Sequence, residues 1–241
     1  MITKNKIESI IFWLRKEVKK AQANGLCVAI SGGIDSAVAA SLAKLAFPDN
    51  STGLFIDIDS SEESFTNFNK IIKQIKIKKE IVNLNKSFNQ FIDDLNFIKK
   101  AEKEVKGNIK SRLRMNTIYA YAKINNYLVV GTSNYSEIYL GYFTKWGDGV
   151  ADIFPLANFK KSEIYKIAKL LELDEKLINQ KPSADLWYGQ TDENELGFKY
   201  SDLEKYWEDK KSVSSEIKNK IEIYNKISNH KRNILLNSYK N

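Results

Sequence analysis

Ala29-Ile30-Ser31-Gly32-Gly33-Ile34-Asp35-Ser36-Ala37-Val38-Ala39-Ala40 is the stretch on which the architecture turns. The preceding run, Leu26-Cys27-Val28-Ala29-Ile30, is wholly apolar and rich in branched residues. It reads as a strand buried on both faces. Ala37 to Ala46 is dominated by Ala and Leu and reads as a helix. The Ser-Gly-Gly turn between them makes an anion site. Backbone N–H groups are unpaired there, the helix dipole turns its positive end outward, and glycine admits close approach. Ser31 and Ser36 add hydroxyl donors. The turn lacks the Lys of the Walker loop and the third glycine of the dinucleotide fingerprint, so neither of those folds is expected.

Asp35 stands among groups aimed at a phosphate, which its carboxylate would repel unless a cation lies between. Magnesium is held by one or two carboxylates together with substrate phosphates, so Asp35 is read as a magnesium ligand. The plainer alternative is an acid satisfying the helix dipole.

Outward from this point, strands and helices alternate. Residues 3–24 form an amphipathic helix ending at Gly25, with Ile7, Ile10, Ile11, Leu14 and Val18 inward. Residues 52–58 read as a second strand, followed by a helix capped by Ser60 or Ser61. Residues 80–84 read as a third strand, 85–105 as mixed helix with a solvated charged face, 109–125 as a long helix and 127–132 as a buried strand. The pattern predicts an α/β fold with a parallel sheet flanked by helices on both faces, in one domain spanning 1–241. Ligands in such sheets bind beyond the carboxyl ends of the strands, so loops 31–36, 57–63 and 132–137 should share one edge.

A chain of 241 residues with 43% hydrophobic content suits one globular domain. No run approaches the roughly 18 apolar residues of a membrane span, and the amphipathic N-terminal segment is unlike a signal core. The single cysteine, Cys27, excludes a disulfide framework. The reducing cytoplasm is the expected compartment. The net charge of +8 suits a polyanionic ligand, although lysine is abundant along the whole chain. One histidine, His230, excludes a His-rich metal site.

Three further regions carry chemistry. Thr132-Ser133-Asn134-Tyr135-Ser136-Glu137 opens at the same sheet edge as Asp35. Glu137 is either a second magnesium carboxylate or the acid of a capping box on Asn134, and spacing leaves both open. Gly141 to Asp152 packs three glycines, two acids, a lysine and three aromatics into one loop, which is unusual for a plain turn. Lys145 offers charge to a phosphate and the aromatics a stacking surface. Asn158 is expected to cap a helix with Lys160 and Lys161 in its first turn, where a bound anion would offset their conflict with the dipole.

Ser31-Gly32-Gly33-x-Asp35-Ser36 resembles the pyrophosphate loop of the N-type ATP pyrophosphatases, enzymes of adenine-nucleotide alpha-hydrolase-like fold that cleave ATP between the α- and β-phosphates. Within that group the chain resembles the ammonia-dependent NAD synthetases. The resemblance rests on six segments in family order. They are Ser31–Ser36; Gly107 to Met115; Gly131 to Glu137; Gly141 to Asp152; Lys181-Pro182-Ser183-Ala184-Asp185-Leu186 with Asp192 to Gly197; and His230-Lys231-Arg232. It implies that Ala29, Ile30, Ser31, Gly32, Gly33, Ile34, Asp35 and Ser36 hold the ATP phosphates, with Thr132, Lys161 and Ser183 also on ATP. It implies magnesium on Asp35 and Glu137, and the acceptor deamido-NAD on Arg112, Lys145, Asp152, His230 and Lys231. It implies a homodimer, free ammonia as nitrogen source, and no protein nucleophile. Ser133-Asn134 departs from the family's Asp-His, Ser183 from Thr, Val150 from Gly, and Phe55 to Ser60 lacks the family's Leu-Pro-Tyr-Gly. Residues 183–197 are expected to form a flap over ATP. The rival readings are a tRNA-modifying pyrophosphatase, disfavoured by the single cysteine, and a nucleotide-binding module without catalysis. Neither nucleic acid nor membrane is expected as a partner.

Overall fold

The computed structural model describes residues 2–98, 101–180, 182–183, 185–187 and 189–232. In order these form α1 Lys4–Lys20, β1 Gly25–Ala29, α2 Ile34–Ala46, β2 Ser51–Asp57, α3 Glu62–Ile75, β3 Lys78–Asn83, α4 Asn85–Asp94, α5 Lys103–Asn125, β4 Tyr127–Val130 and α6 Tyr135–Leu140. Then follow α7 Lys161–Leu170, α8 Glu175–Ile178, α9 Asp192–Leu196, α10 Tyr200–Glu208, α11 Ser215–Ile227 and α12 Asn229–Arg232.

The strands make a parallel sheet of order β3-β2-β1-β4. Alternation along each strand sorts side chains to its two faces. Leu26, Val28, Ile30 and Phe55 pack with α1, α2, α3 and α7 on one side. Cys27, Leu54, Ile56 and Val129 pack on Ile118 and Ala122 of α5 on the other. A third cluster joins Leu140 of α6 to α10 and α11 through Leu203, Tyr206 and Ile221. The chain winds from β1 outward to β3 and then returns to place β4 on the far side of β1. The gap between the carboxyl ends of β1 and β4 is therefore the topological switch point, where such sheets bind ligands. Among the described residues no helix is long and apolar enough to cross a membrane.

Several element ends differ from the sequence reading. α1 stops at Lys20 and Gly25 opens β1 instead of ending the helix. That glycine is needed because a Cβ there would lie 2.0 Å from the carbonyl oxygen of Asn50, just before β2. α2 begins at Ile34, since Gly33 is extended and serves as its N-cap, so Asp35 and Ser36 belong to the helix's first turn. The mixed stretch 85–105 divides into α4, a short turn Asn96–Ile98 and the start of α5 at Lys103. Asn158 does not cap α7. The carbonyl of Phe159 accepts from the Tyr135 N–H at 2.9 Å, which holds 156–159 as a turn, and Lys160 becomes the N-cap.

Candidate active site

The glycine turn sits where β1 runs into α2. Gly32 has φ +90, and a Cβ there would approach the Ser64 carbonyl oxygen of α3 to 2.6 Å, so only glycine fits. The Ser31 hydroxyl lies 3.3 Å from that of Ser36 and accepts from the Gly33 N–H at the same distance. Gly33 has no side chain with which to cap α2, and the first-turn N–H groups open into a cavity of about 1440 Å³.

Behind the turn, residues from three elements meet. Asp35 Oδ2 lies 2.5 Å from the Lys161 ammonium, and Glu137 Oε1 lies 3.3 Å from it. Asn134 Nδ2 donates to Asp35 Oδ1 at 2.8 Å. Asn134 also caps α6, accepting from the Glu137 N–H, while Glu137 Oε2 accepts from the Asn134 N–H. Glu137 thus belongs to a capping box and to the acidic pair at once. Lys161, only 3% exposed, does not leave its charge at the N-terminus of α7 but carries it to these carboxylates. Its ring contact is Tyr200 at 5.2 Å, whose hydroxyl donates to Asp192 Oδ2 at 3.1 Å.

Burial opposes the charge on Lys161, but Asp35, Glu137 and Asp192 outweigh it and hold the ammonium well above its ordinary range. One ammonium cannot neutralise every acid around it. Burial, reinforced by Asp35 and opposed by Lys161, raises the Glu137 carboxyl above the usual carboxylate range. Burial likewise lifts Asp192 to about 6.

This arrangement tests the magnesium expectation. The Lys161 ammonium between Asp35 and Glu137 is a stand-in cation, and the pair is oriented to accept one. Two carboxylates at the edge of a phosphate-sized turn fit magnesium, which takes its remaining ligands from substrate phosphates and water. Among the described residues no cluster of His, Cys, Asp and Glu is built to hold a metal unaided.

The expected ligand residues fall into two groups. Ala29 to Ser36, Thr132, Glu137, Lys161 and Ser183 all line the cavity, as do His230 and Lys231. Lys231 donates to the carbonyls of Gly141 and Phe143 at 2.8 Å each, tying α12 to the 141–152 loop, and burial lowers its pKa. Arg112, Lys145 and Asp152 stand outside the cavity. Arg112 donates to the Lys145 carbonyl at 3.2 Å. Lys145 lies over the exposed ring of Trp146, a residue held at φ +67. Asp152 accepts from the Val129 N–H at 2.7 Å and from the Tyr119 hydroxyl at 3.3 Å, so it braces β4. Of residues 183–197, expected from sequence to form a flap, 184 and 188 lie outside the described residues. The remainder is anchored by Asp185, which accepts from the N–H and hydroxyl of Ser61, and by Lys110, which donates to the Leu186 carbonyl.

The sequence assigns no role to Arg114 or Asp192, and to Asn134 only that of a helix cap, which it fills alongside its bond to Asp35. Arg114 donates to the carbonyls of Ile56 and Ile58 and to the Ser60 hydroxyl, fixing the carboxyl end of β2 at the cavity wall. Its only local sign was a place two residues after Arg112, on another face of the helix.

A family model for NAD synthase matches residues 6–241. The chain belongs to the NAD synthase family. Its similarity extends to a Carboxydothermus hydrogenoformans protein named NH(3)-dependent NAD(+) synthetase, 44% identical over 83% of this chain and 84% of that one. Among solved structures it resembles an NMN synthetase from Francisella tularensis, with TM-score 0.92 and 35% identity over the full length of both chains. It also resembles an NH3-dependent NAD synthetase from Campylobacter jejuni, with TM-score 0.83 and 26% identity, again over both full lengths. The N-type ATP pyrophosphatase fold of NAD synthase members agrees with the parallel sheet and its glycine turn.

Proposed function

We propose that this chain is a cytoplasmic ligase that forms a C–N bond. It amidates deamido-NAD with ammonia, at the expense of ATP, to give NAD, AMP and pyrophosphate. The carrying observation is the convergence of Asp35 and Glu137 on one buried ammonium directly behind the Ser-Gly-Gly turn. Membership of the NAD synthase family and the name shared by its relatives support the acceptor.

The nicotinate carboxylate attacks the α-phosphate of ATP and pyrophosphate leaves. Ammonia then attacks the adenylated carboxyl, AMP departs, and the nitrogen loses a proton to become the amide. The N–H groups of the glycine turn, the hydroxyls of Ser31 and Ser36, and Lys161 receive the phosphates, with Thr132 and Ser183 completing the ATP site. Magnesium, when bound on Asp35 and Glu137, supplies charge neutralisation to the departing pyrophosphate. No side chain acts as nucleophile, and the rate comes from positioning and fixed charge. The only cysteine is buried, with its thiol pushed up to about 12 by burial, which makes it unreactive.

Arg112, Lys145 and Asp152 are proposed to meet the acceptor together with His230 and Lys231. The first three face outward on α5 and the 141–152 loop, so a second copy of the chain is needed to enclose them. The assembly proposed is a homodimer, and light scattering at the mass of one chain would remove it.

A second reading follows from the likeness to the NMN synthetase. The acceptor would then be the corresponding mononucleotide carboxylate, nicotinate mononucleotide. One assay separates the two. AMP and pyrophosphate release is measured with ATP, ammonium and magnesium, offering deamido-NAD or nicotinate mononucleotide and omitting one component at a time. Release that needs every component, and a higher kcat/KM with deamido-NAD, is expected. Preference for the mononucleotide replaces the first reading with the second, and ATP binding without release overturns both.

A further inference from the structure

Three acids surround Lys161, and their hydrogen bonds are not equivalent. Asp35 and Glu137 both contact the ammonium directly, at 2.5 Å and 3.3 Å. Asp192 is 4% exposed, lines the same cavity, and is linked to the lysine through Tyr200, whose ring the ammonium overlies. Its Oδ2 accepts from the Tyr200 hydroxyl, whereas its Oδ1, fully buried, has no hydrogen-bond partner among the described residues. A buried carboxylate oxygen without a partner is costly, and one in a native fold calls for an explanation.

Charge counting supplies one. With all three carboxylates ionised, one ammonium leaves two negative charges, and a single divalent cation closes the balance to zero. That cation cannot simply join the cluster, because Lys161 already fills the gap between Asp35 and Glu137. A lysine side chain is long, rotatable and carries three N–H donors, so it can vacate that gap without leaving the cavity.

We infer that Lys161 is a movable counter-ion. In the free protein it holds Asp35 and Glu137 together, and it shifts onto the unpartnered Oδ1 of Asp192 when a divalent cation takes its place. Asp192 is then a positioning residue, acting on the metal pair only through the lysine. The inference rests on reading Asp35 and Glu137 as the metal-binding pair.

The test is manganese binding to the purified chain without nucleotide, followed by electron paramagnetic resonance, and it requires no turnover. Asp192→Asn keeps the shape and the Tyr200 bond but offers the ammonium no charge. It should weaken manganese binding by about tenfold in the wild-type background. Lys161→Gln should strengthen binding, because nothing has to be displaced. In the Lys161→Gln background Asp192→Asn should change affinity by less than about twofold, since no lysine remains to be received. An equal loss in both backgrounds would mean that Asp192 acts as a fixed charge, and the inference falls. Should Lys161→Gln not fold, the ammonium signal of 15N-lysine-labelled wild-type protein decides. Magnesium should move the buried Lys161 resonance in the wild type and, in Asp192→Asn, only at about tenfold higher concentration and to a different position; a resonance unmoved in the wild type overturns the exchange. Asp35→Asn separates the two layers. Loss of manganese binding there, with an additive Asp192/Lys161 cycle, sinks the exchange and leaves the metal pair standing. Undiminished binding sinks both.

Discussion

Asp192 couples folding to pH as a single residue. Burial lifts its carboxyl from 3.8 to about 6, against Lys161 and the Tyr200 hydroxyl. The folded chain therefore holds this proton more tightly than the unfolded chain does. The contribution to stability is complete below the unfolded value of 3.8 and is lost as pH rises through the folded value of about 6. Glu137, raised by burial and by Asp35, pulls the same way. Asp192→Asn has no proton to lose, so its melting temperature should decline less than that of the wild type between about pH 4 and about pH 6.5. Parallel melting curves would remove Asp192 from the titration. In the proposed function, Asp35 is the residue on which the chemistry hangs. Asp35→Asn keeps the shape and one acceptor oxygen, enough for Lys161 or Asn134 though not for both, so the fold should persist. Pyrophosphate release should drop by about 100-fold or more, since a carboxylate that would hold magnesium against the departing pyrophosphate is gone. Release at the wild-type rate, with an unchanged melting curve, would strip Asp35 of its metal role. Asp35 was legible in the sequence because its charge contradicts its surroundings. Asn134 was not, because it looks like any helix cap. Its second bond, to Asp35, depends on β1 and β4 being neighbours in the sheet.

Among the elements, the first turn of α7 carries the lysine and has to be held still. Its Ser162 N–H and hydroxyl donate to the two carboxylate oxygens of Glu204 on α10, at 2.9 Å and 2.6 Å. The Glu163 carboxylate accepts from the Lys160 N–H at 2.9 Å. Glu204→Ala leaves the Ser162 pair without its acceptors, which should cost about 2 kcal/mol and lower the melting temperature by roughly 5 °C. Glu204→Gln keeps one acceptor oxygen and should recover part of that loss. A melting temperature unchanged in Glu204→Ala would show that α7 is held by its apolar face alone, through Ile164, Ile167 and Ala168. The same turn marks the limit of sequence reading. Apolar runs such as Leu26 to Ile30 declare themselves because a strand covered on both faces admits little else. The start of α7 does not. Asn158 is the better cap by residue type, yet the tertiary bond between Tyr135 and Phe159 takes that stretch into a turn and passes the cap to a lysine. What remained visible was Glu163, an acid three residues after Lys160, which is half of a capping box.

At the scale of the molecule, the cavity is assembled from distant parts of the chain. The end of β1, the 132–137 loop, α7, the 182–191 stretch and α12 all reach it. The sheet order explains why so much of the proposed ATP side was readable. Parallel strands put every carboxyl end on one edge, and the motifs sit at those ends. The proposed acceptor residues were less so, because Arg112, Lys145 and Asp152 lie beyond the cavity, where the role proposed for them calls for a second copy that one chain's periodicity does not reveal. A ligand that touches so many elements stabilises all of them together. At a concentration of about 100 times its Kd it adds about 2.7 kcal/mol, which for a chain of this length is a rise of roughly 5–10 °C in melting temperature. ATP with magnesium should therefore raise the melting temperature of the wild type more than ATP with a chelator at the same concentration. In Asp35→Asn the two shifts should become equal, because the glycine turn still takes the phosphates while the metal pair is broken. A magnesium increment that survives in Asp35→Asn would mean that the cation arrives on ATP alone and owes nothing to the acids behind the turn.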